Sequence, residues 1–223
     1  MNDLRKPDDS VSLEISFLKA FQQRVDIVIS WKPVKGKVYF ALPIWTPGSY
    51  TVRDHSQYLF SLKLKQGDNI LELVRESTNR WSALIYKTDK LELSYSLETR
   101  DLSVRTCYSD SNLSSLCLAG AIMLIEDYRH KNHYVRTIHP DNWKIYTPLP
   151  FDSEYIASNY DELVDSPIIA GCHDEYTFYV GGIKHIIILM GVYKHILPES
   201  FLSDVKKICQ SACSIFGESK PPS

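Results

Sequence analysis

No stretch of this sequence is apolar for long enough to read as a membrane span. The longest such run, Ile186 to Val192, falls far short of the roughly 20 residues a bilayer requires. The N-terminal segment Met1 to Asp9 is polar and charged and has no apolar signal core. A basic surplus is also missing. With 25 Lys and Arg against 27 Asp and Glu the formal net charge is −2, which argues against nucleic acid and anionic membrane surfaces as partners. Cys-x-x-Cys does not occur. The cysteines, Cys107, Cys117, Cys172, Cys209 and Cys213, are odd in number, so neither a disulfide framework nor a cysteine zinc site is expected. They read as free thiols of a cytoplasmic protein. Internal repeats and low-complexity segments are absent.

The common catalytic signatures are missing as well. There is no Gly-x-Ser-x-Gly elbow to raise a nucleophilic serine, no phosphate-binding Gly-x-x-x-x-Gly-Lys-Ser/Thr loop and no Gly-x-Gly-x-x-Gly. None of the seven histidines opens His-Glu-x-x-His, in which two imidazoles one helical turn apart reach a single zinc. His130 and His133 stand three apart in a polar stretch, where a solvated loop outweighs a metal pair. His173-Asp174-Glu175 reads as the lead-in to a hairpin. His185, at the start of an apolar strand, reads as a hydrogen-bonded structural histidine.

What is present is alternation. Val11, Leu13, Ile15 and Phe17 share one face; Val25, Ile27 and Ile29 repeat the pattern; Tyr58, Phe60, Leu62 and Leu64 follow; Leu91 to Leu97 is the cleanest case. Val38 to Leu42, Ile70 to Val74, Trp81 to Tyr86, Val104 to Tyr108, Tyr134 to Ile138 and Lys144 to Tyr146 add further strands. Leu116 to Ile125 is continuously apolar and fits either a bulged strand or a short helix. No helix-period stretch occurs before about Pro150, so the expectation is a mainly β fold, an antiparallel β-sandwich-like domain. Phe151 to Tyr160 reads as irregular, with a domain boundary near residue 158. Beyond it, two apolar strands flank Gly181-Gly182 as a β-hairpin. One α-helix runs from Pro198 to Phe216, with Phe201, Val205, Ile208, Ala212 and Ile215 in a stripe and Gly217 as its cap.

The chain is organised around Leu42-Pro43-Ile44-Trp45-Thr46-Pro47-Gly48-Ser49-Tyr50-Thr51-Val52-Arg53-Asp54. Pro47 fixes φ and Gly48 permits φ > 0, so the stretch predicts a turn between two strands, with Trp45 and Tyr50 clamping it to a core. By itself that is a structural corner. The same residues resemble the signature of the N-terminal β-domain of the glycyl aminopeptidase family of zinc metallopeptidases. His139-Pro140-Asp141-Asn142-Trp143 and Tyr160-Asp161-Glu162-Leu163-Val164-Asp165-Ser166-Pro167 extend the resemblance, and Lys184-His185 falls where the family carries a proline-histidine pair.

The resemblance implies residues 1–158 as the family's β-domain. It implies residues 159–223 as the opening of a thermolysin-like, zincin-type catalytic domain, truncated before the zinc motif. The matching positions are Trp45, Pro47, Gly48, Ser49, Tyr50, Arg53, Asp161, Asp165, Pro167 and His185, as structural or cleft-wall residues rather than catalytic or metal-binding ones. A complete family member would hold zinc and hydrolyse N-terminal Gly or Ala from peptides; this chain, lacking the Gly-Gly-Leu-Glu-His-type and His-Glu-x-x-His motifs, is expected to hold none and to be inactive alone. Its expected partner is the remainder of the peptidase, or a protein covering the C-terminal helix. The other expectations are a stand-alone β-module that binds a protein or peptide and, more weakly, a carbohydrate-binding sandwich using two solvent-facing tryptophans.

Overall fold

The structure is a computed structural model that describes residues 9–46, 49–190 and 197–215. It divides into two compact units, residues 1–171 and 172–223.

In the first unit the chain runs through β1 (Val11–Ser16), β2 (Arg24–Trp31), β3 (Gly36–Ala41), β4 (Leu59–Gln66), β5 (Asn69–Leu71), β6 (Val74–Arg75), β7 (Arg80–Ile85) and β8 (Leu91–Glu98). It continues with β9 (Cys107–Ser109), β10 (Leu113–Leu116), β11 (Leu124–Ile125), β12 (His133–Ile138), β13 (Lys144–Tyr146), β14 (Phe151–Asp152) and β15 (Glu154–Ala157). A short helix α1 (Tyr160–Asp165) and β16 (Ile168–Gly171) complete the unit. The principal sheet has the order β14-β15-β12-β1-β2-β8-β4-β5, and two four-stranded sheets, β13-β16-β10-β9 and β11-β3-β7-β6, accompany it. The mainly β, sandwich-like expectation holds.

Period-two patterning explains the core. Val135, Leu13, Ile29, Leu93 and Leu64 are register partners in one row across five strands, and each is at most 2% exposed. Each such side chain contributes about 1.5–3 kcal/mol on burial. Polar neighbours fill the alternate positions, where Arg136 pairs with Glu14 (2.9 Å). Pairing is antiparallel everywhere except β1 with β12, which run parallel. A parallel pair needs a long crossover connection, usually a helix. Here the crossover is most of the unit itself.

Three local expectations change. The alternation assigned to Tyr58, Phe60, Leu62 and Leu64 is interrupted by a bulge between Phe60 and Lys63, with Ser61 at φ 58°. Phe60 therefore leaves the face of Leu64 and lies under the Arg24 guanidinium, 4.1 Å from its ring centroid. Leu116 to Ile125 resolves as the end of β10, a 3₁₀ turn at Leu118–Gly120 and β11. Phe151 to Tyr160 is not irregular but holds β14, β15 and the start of α1. The compact units divide after Gly171, because α1 buries Tyr160 and Leu163 and β16 pairs with both β10 and β13.

The second unit holds β17 (Asp174–Val180), β18 (Ile183–Leu189) and α2 (Phe201–Ile215). Gly181 and Gly182 take φ 57° and 83°, the pair of left-handed conformations that a two-residue hairpin loop requires. Helix α2 packs against β17. Its predicted stripe splits, with Phe201 and Val205 half-buried while Ile208 and Ile215 are 68% and 79% exposed. The expected cap, Gly217, lies outside the described residues. All five cysteines are free, and no helix among the described residues is long and apolar enough to cross a membrane.

Candidate functional site

A cleft of about 1060 Å³ opens on the first unit. Five segments distant in sequence line it: Thr46, from the central motif, and Val104 with Arg105 as its rim; Cys117, Leu118 and Ala119 as its floor; and Arg129 with residues of Asn159 to Pro167 as its wall.

The floor is fixed by buried tyrosines. The Tyr95 hydroxyl donates to the Ala121 carbonyl (2.8 Å) and accepts from the Met123 amide (3.1 Å). The Tyr160 hydroxyl donates to the Ile122 carbonyl (2.7 Å). Burial holds both phenols well above their ordinary range, so they stay protonated as donors. Removing the second bond strands a buried carbonyl. Tyr160→Phe should therefore lose about 1–3 kcal/mol in urea unfolding, with an unchanged denaturant slope; a loss under about 0.5 kcal/mol would show that the bond does not hold the floor.

The wall is a capped helical turn. Asn159 Oδ1 accepts from the Glu162 amide (2.9 Å), and Glu162 reaches back to accept from the Ser158 amide (2.6 Å) and hydroxyl (2.5 Å). Those bonds hold the Glu162 carboxyl below its usual range. Arg129 forks onto Asp161 (2.7 and 3.2 Å), while its carbonyl accepts from the Tyr160 amide (2.8 Å). The pair is exposed, so its value lies in geometry more than energy.

The expected site residues are thus partly assembled. Asp161, Asp165 and Pro167 line the cleft, and Trp45 adjoins its rim at Thr46. Pro47 and Gly48, the centre of the predicted turn, lie outside the described residues; the amide of Ser49 donates to Thr46 across them (3.0 Å). Trp45 and Tyr50 do not clamp the corner to a core. They are 52% and 104% exposed, because Trp45 Nε1 donates to the Ser49 carbonyl (2.6 Å) and the loop closes on itself. Leu42, fully buried, is the anchor instead. No strand starts directly after the turn: Ser49 Oγ donates to Thr51 O (3.2 Å), the Arg53 amide closes on Ile44 O (2.7 Å), and a 3₁₀ turn at His55–Tyr58 precedes β4. Ser49 is buried in that local network, and Arg53 Nε is buried without an acceptor among the described residues.

His185 belongs to the second unit, where Nδ1 donates to Ile183 O (3.0 Å) and the ring stacks on Phe178 at 5.0 Å. The rest of the cleft, from Val104 to Arg129, escaped the sequence reading. Its one local signal was the acid-rich opening of α1, which seeks an arginine.

Among the described residues, no histidine lines the cleft. His133 is 2% exposed, donates Nδ1–H to Lys131 O (2.8 Å) and packs on Tyr160, so it forms no metal pair with the exposed His130. Among the described residues no three His, Cys, Asp or Glu side chains converge as a metal site. The donor set therefore does not fit a zinc centre. Trp31, Trp81 and Trp143 are at most 8% exposed, which removes the pair of solvent-facing tryptophans that carbohydrate binding needs.

Residues 12–172 match the Peptidase M61 N-terminal domain. The chain belongs to that family. An aminopeptidase N family protein from Idiomarina loihiensis superposes with a TM-score of 0.86 at 25% identity, over 93% of this chain and 37% of its own. An M1 zinc metallopeptidase from Deinococcus radiodurans shares the fold, with a TM-score of 0.51 at 10% identity over 94% and 53%. This member of the M61 N-terminal domain family thus spans little more than a third and about half of those two relatives. No curated protein matches it in sequence.

Proposed function

We propose that this chain is the non-catalytic N-terminal portion of a glycyl-aminopeptidase-like zinc metallopeptidase of the cytoplasm. The family match over residues 12–172, in a chain that spans 37% of its Idiomarina relative, carries this reading. On it, residues 159–223 open the thermolysin-like catalytic portion, and the remainder of the peptidase is the partner. The complete enzyme binds zinc there and releases N-terminal Gly or Ala from peptides. This chain supplies scaffold and, through the Thr46 rim and the Asp161–Pro167 wall, one side of the substrate cleft.

Two experiments test it. The purified chain, incubated with zinc and Gly- or Ala-terminated peptides, should release no amino acid; zinc-dependent release would overturn the inactivity. Reading the gene past the codon for Ser223 should reveal an open frame with Gly-Gly-Leu-Glu-His and then His-Glu-x-x-His. A stop codon would instead favour a stand-alone protein- or peptide-binding β-module, the reading that exposed Ile208 and Ile215 on α2 support.

A further inference from the structure

His55 packs against Gly120 at the end of the cleft floor, and nothing in the proposed function uses it. It follows the central motif directly and is 5% exposed. Its ring sits so close to Gly120 that a Cβ added there would lie 2.9 Å from Nδ1 and 3.1 Å from Cε1. Gly120 ends the turn whose Leu118 and Ala119 form the floor. His55 also borders a small, partly open pocket of about 10 Å³, shared with Tyr58, Glu98, Arg100, Asp101 and Cys107.

That environment favours the neutral ring over the charged one. No hydrogen bond joins the imidazole to another described residue. The acids around it are engaged: Glu98 pairs with Arg100 (2.7 Å), Asp101 accepts from the Tyr58 hydroxyl (3.3 Å), and Asp54 accepts from the Ser56 hydroxyl (2.6 Å). Arg53 adds a repelling positive charge from the same loop. Across the pocket, the Cys107 thiol is pushed up to about 12 by burial and supplies no anion.

We propose that the cleft floor is a proton-operated latch: His55 holds Leu118–Gly120 in place only while its ring is neutral, and mild acid expels the ring and loosens the floor. Burial, and then Arg53, hold its pKa below the ordinary 6.5, with Asp54 opposing weakly. The expelled ring, returned to water, takes up its proton near 6.5, so the released form gains as pH falls through that value. Whatever the cleft holds is then held less well in acid. The inference concerns this chain's own residues and stands whether or not a catalytic portion follows.

Amide hydrogen exchange tests it, with rates corrected for the intrinsic effect of pH. The reporters are the Gly120, Ala121 and Ile122 amides, which donate to Cys117 O, Leu118 O and Leu118 O. At about pH 7.5 these should be protected, and at about pH 5 they should lose protection, while Ile29 and Leu93 in the core keep theirs. His55→Phe, a ring of similar size without a titrating nitrogen, should stay protected at both. Gly120→Ala should reproduce the loosened floor at neutral pH. Equal floor protection at both pH values in the unaltered chain would overturn the latch, as would an acid response that persists in His55→Phe. Should His55→Phe fail to fold, the ring-proton titration of His55 in the unaltered chain decides. A pKa at or above the ordinary value, or ring titration without floor-amide shifts, overturns the proposal.

Discussion

Trp31→Ala should destabilise the protein by about 3–5 kcal/mol, measured as a fall in the urea midpoint with little change in slope. Trp31 ends β2 at 2% exposure and packs edge-on to Phe40, with ring centroids 5.6 Å apart at 65°. It therefore joins the principal sheet to the β3 sheet, and its removal opens a cavity that neither sheet can collapse into. Against a usual total of about 5–15 kcal/mol, that loss leaves little in reserve. Trp31→Phe should behave differently. The indole Nε1 is buried without an acceptor among the described residues. Phenylalanine removes that orphaned donor along with some packing, and the two effects, each about 1–3 kcal/mol, offset. A Phe variant as unstable as the Ala variant would mean that shape alone matters there.

The second large effect is acid lability through His133. Burial lowers its pKa to about 4 from the ordinary 6.5. The unfolded chain therefore binds a proton at His133 that the folded chain refuses. Stability is full above pH 6.5, falls as pH drops through the window from 6.5 to about 4, and levels off below it. At 1.36 kcal/mol per pK unit the window is worth about 3 kcal/mol. Its register partners Val11 on β1 and Ala157 on β15 are apolar, and its ring packs on Tyr160 of α1. His133→Phe should flatten that part of the stability profile, and an unchanged acid slope in the variant would assign it to other groups. Because His133 packs on Tyr160, whose hydroxyl holds Ile122, the His55→Phe comparison is what separates this global effect from the local response of the floor.

How much of this was legible depended on how local each signal is. Leu91 to Leu97 and Val11 to Phe17 announce half-buried strands because their alternation runs unbroken for several residues. Gly181-Gly182 announces its hairpin because few other residues adopt two successive left-handed conformations. The motif around Trp45 and the segment from Tyr160 to Pro167 pointed to the family directly. Their meeting at one cleft is tertiary and had no trace in spacing. Strands β14 and β15 were missed because they are short and turn through Ser153 at φ 65°, with no glycine or asparagine to mark the corner. The bulge at Ser61 was missed for the same reason: a serine carries the positive φ. The exposure of Trp45 and Tyr50 reversed the expectation from composition. Large aromatics usually go inside, but a loop that satisfies its own indole need not bury them.

The parallel pairing of β1 with β12 also bears on how the protein is made. β1 can join β2 almost as soon as both have left the ribosome, but its other edge stays open until His133–Ile138 emerges, 117 residues after Ser16. At about 5–20 residues per second that is a wait of roughly 6–23 seconds. For that time the nascent chain carries an unpaired edge beside the row of Leu13 and Ile15, a surface that invites pairing with a neighbouring chain. The arrest of synthesis anywhere between β2 and β12 would thus leave a fragment prone to aggregation, and the yield of soluble protein should respond to translation speed over that interval more than over the C-terminal hairpin, whose strands are two residues apart.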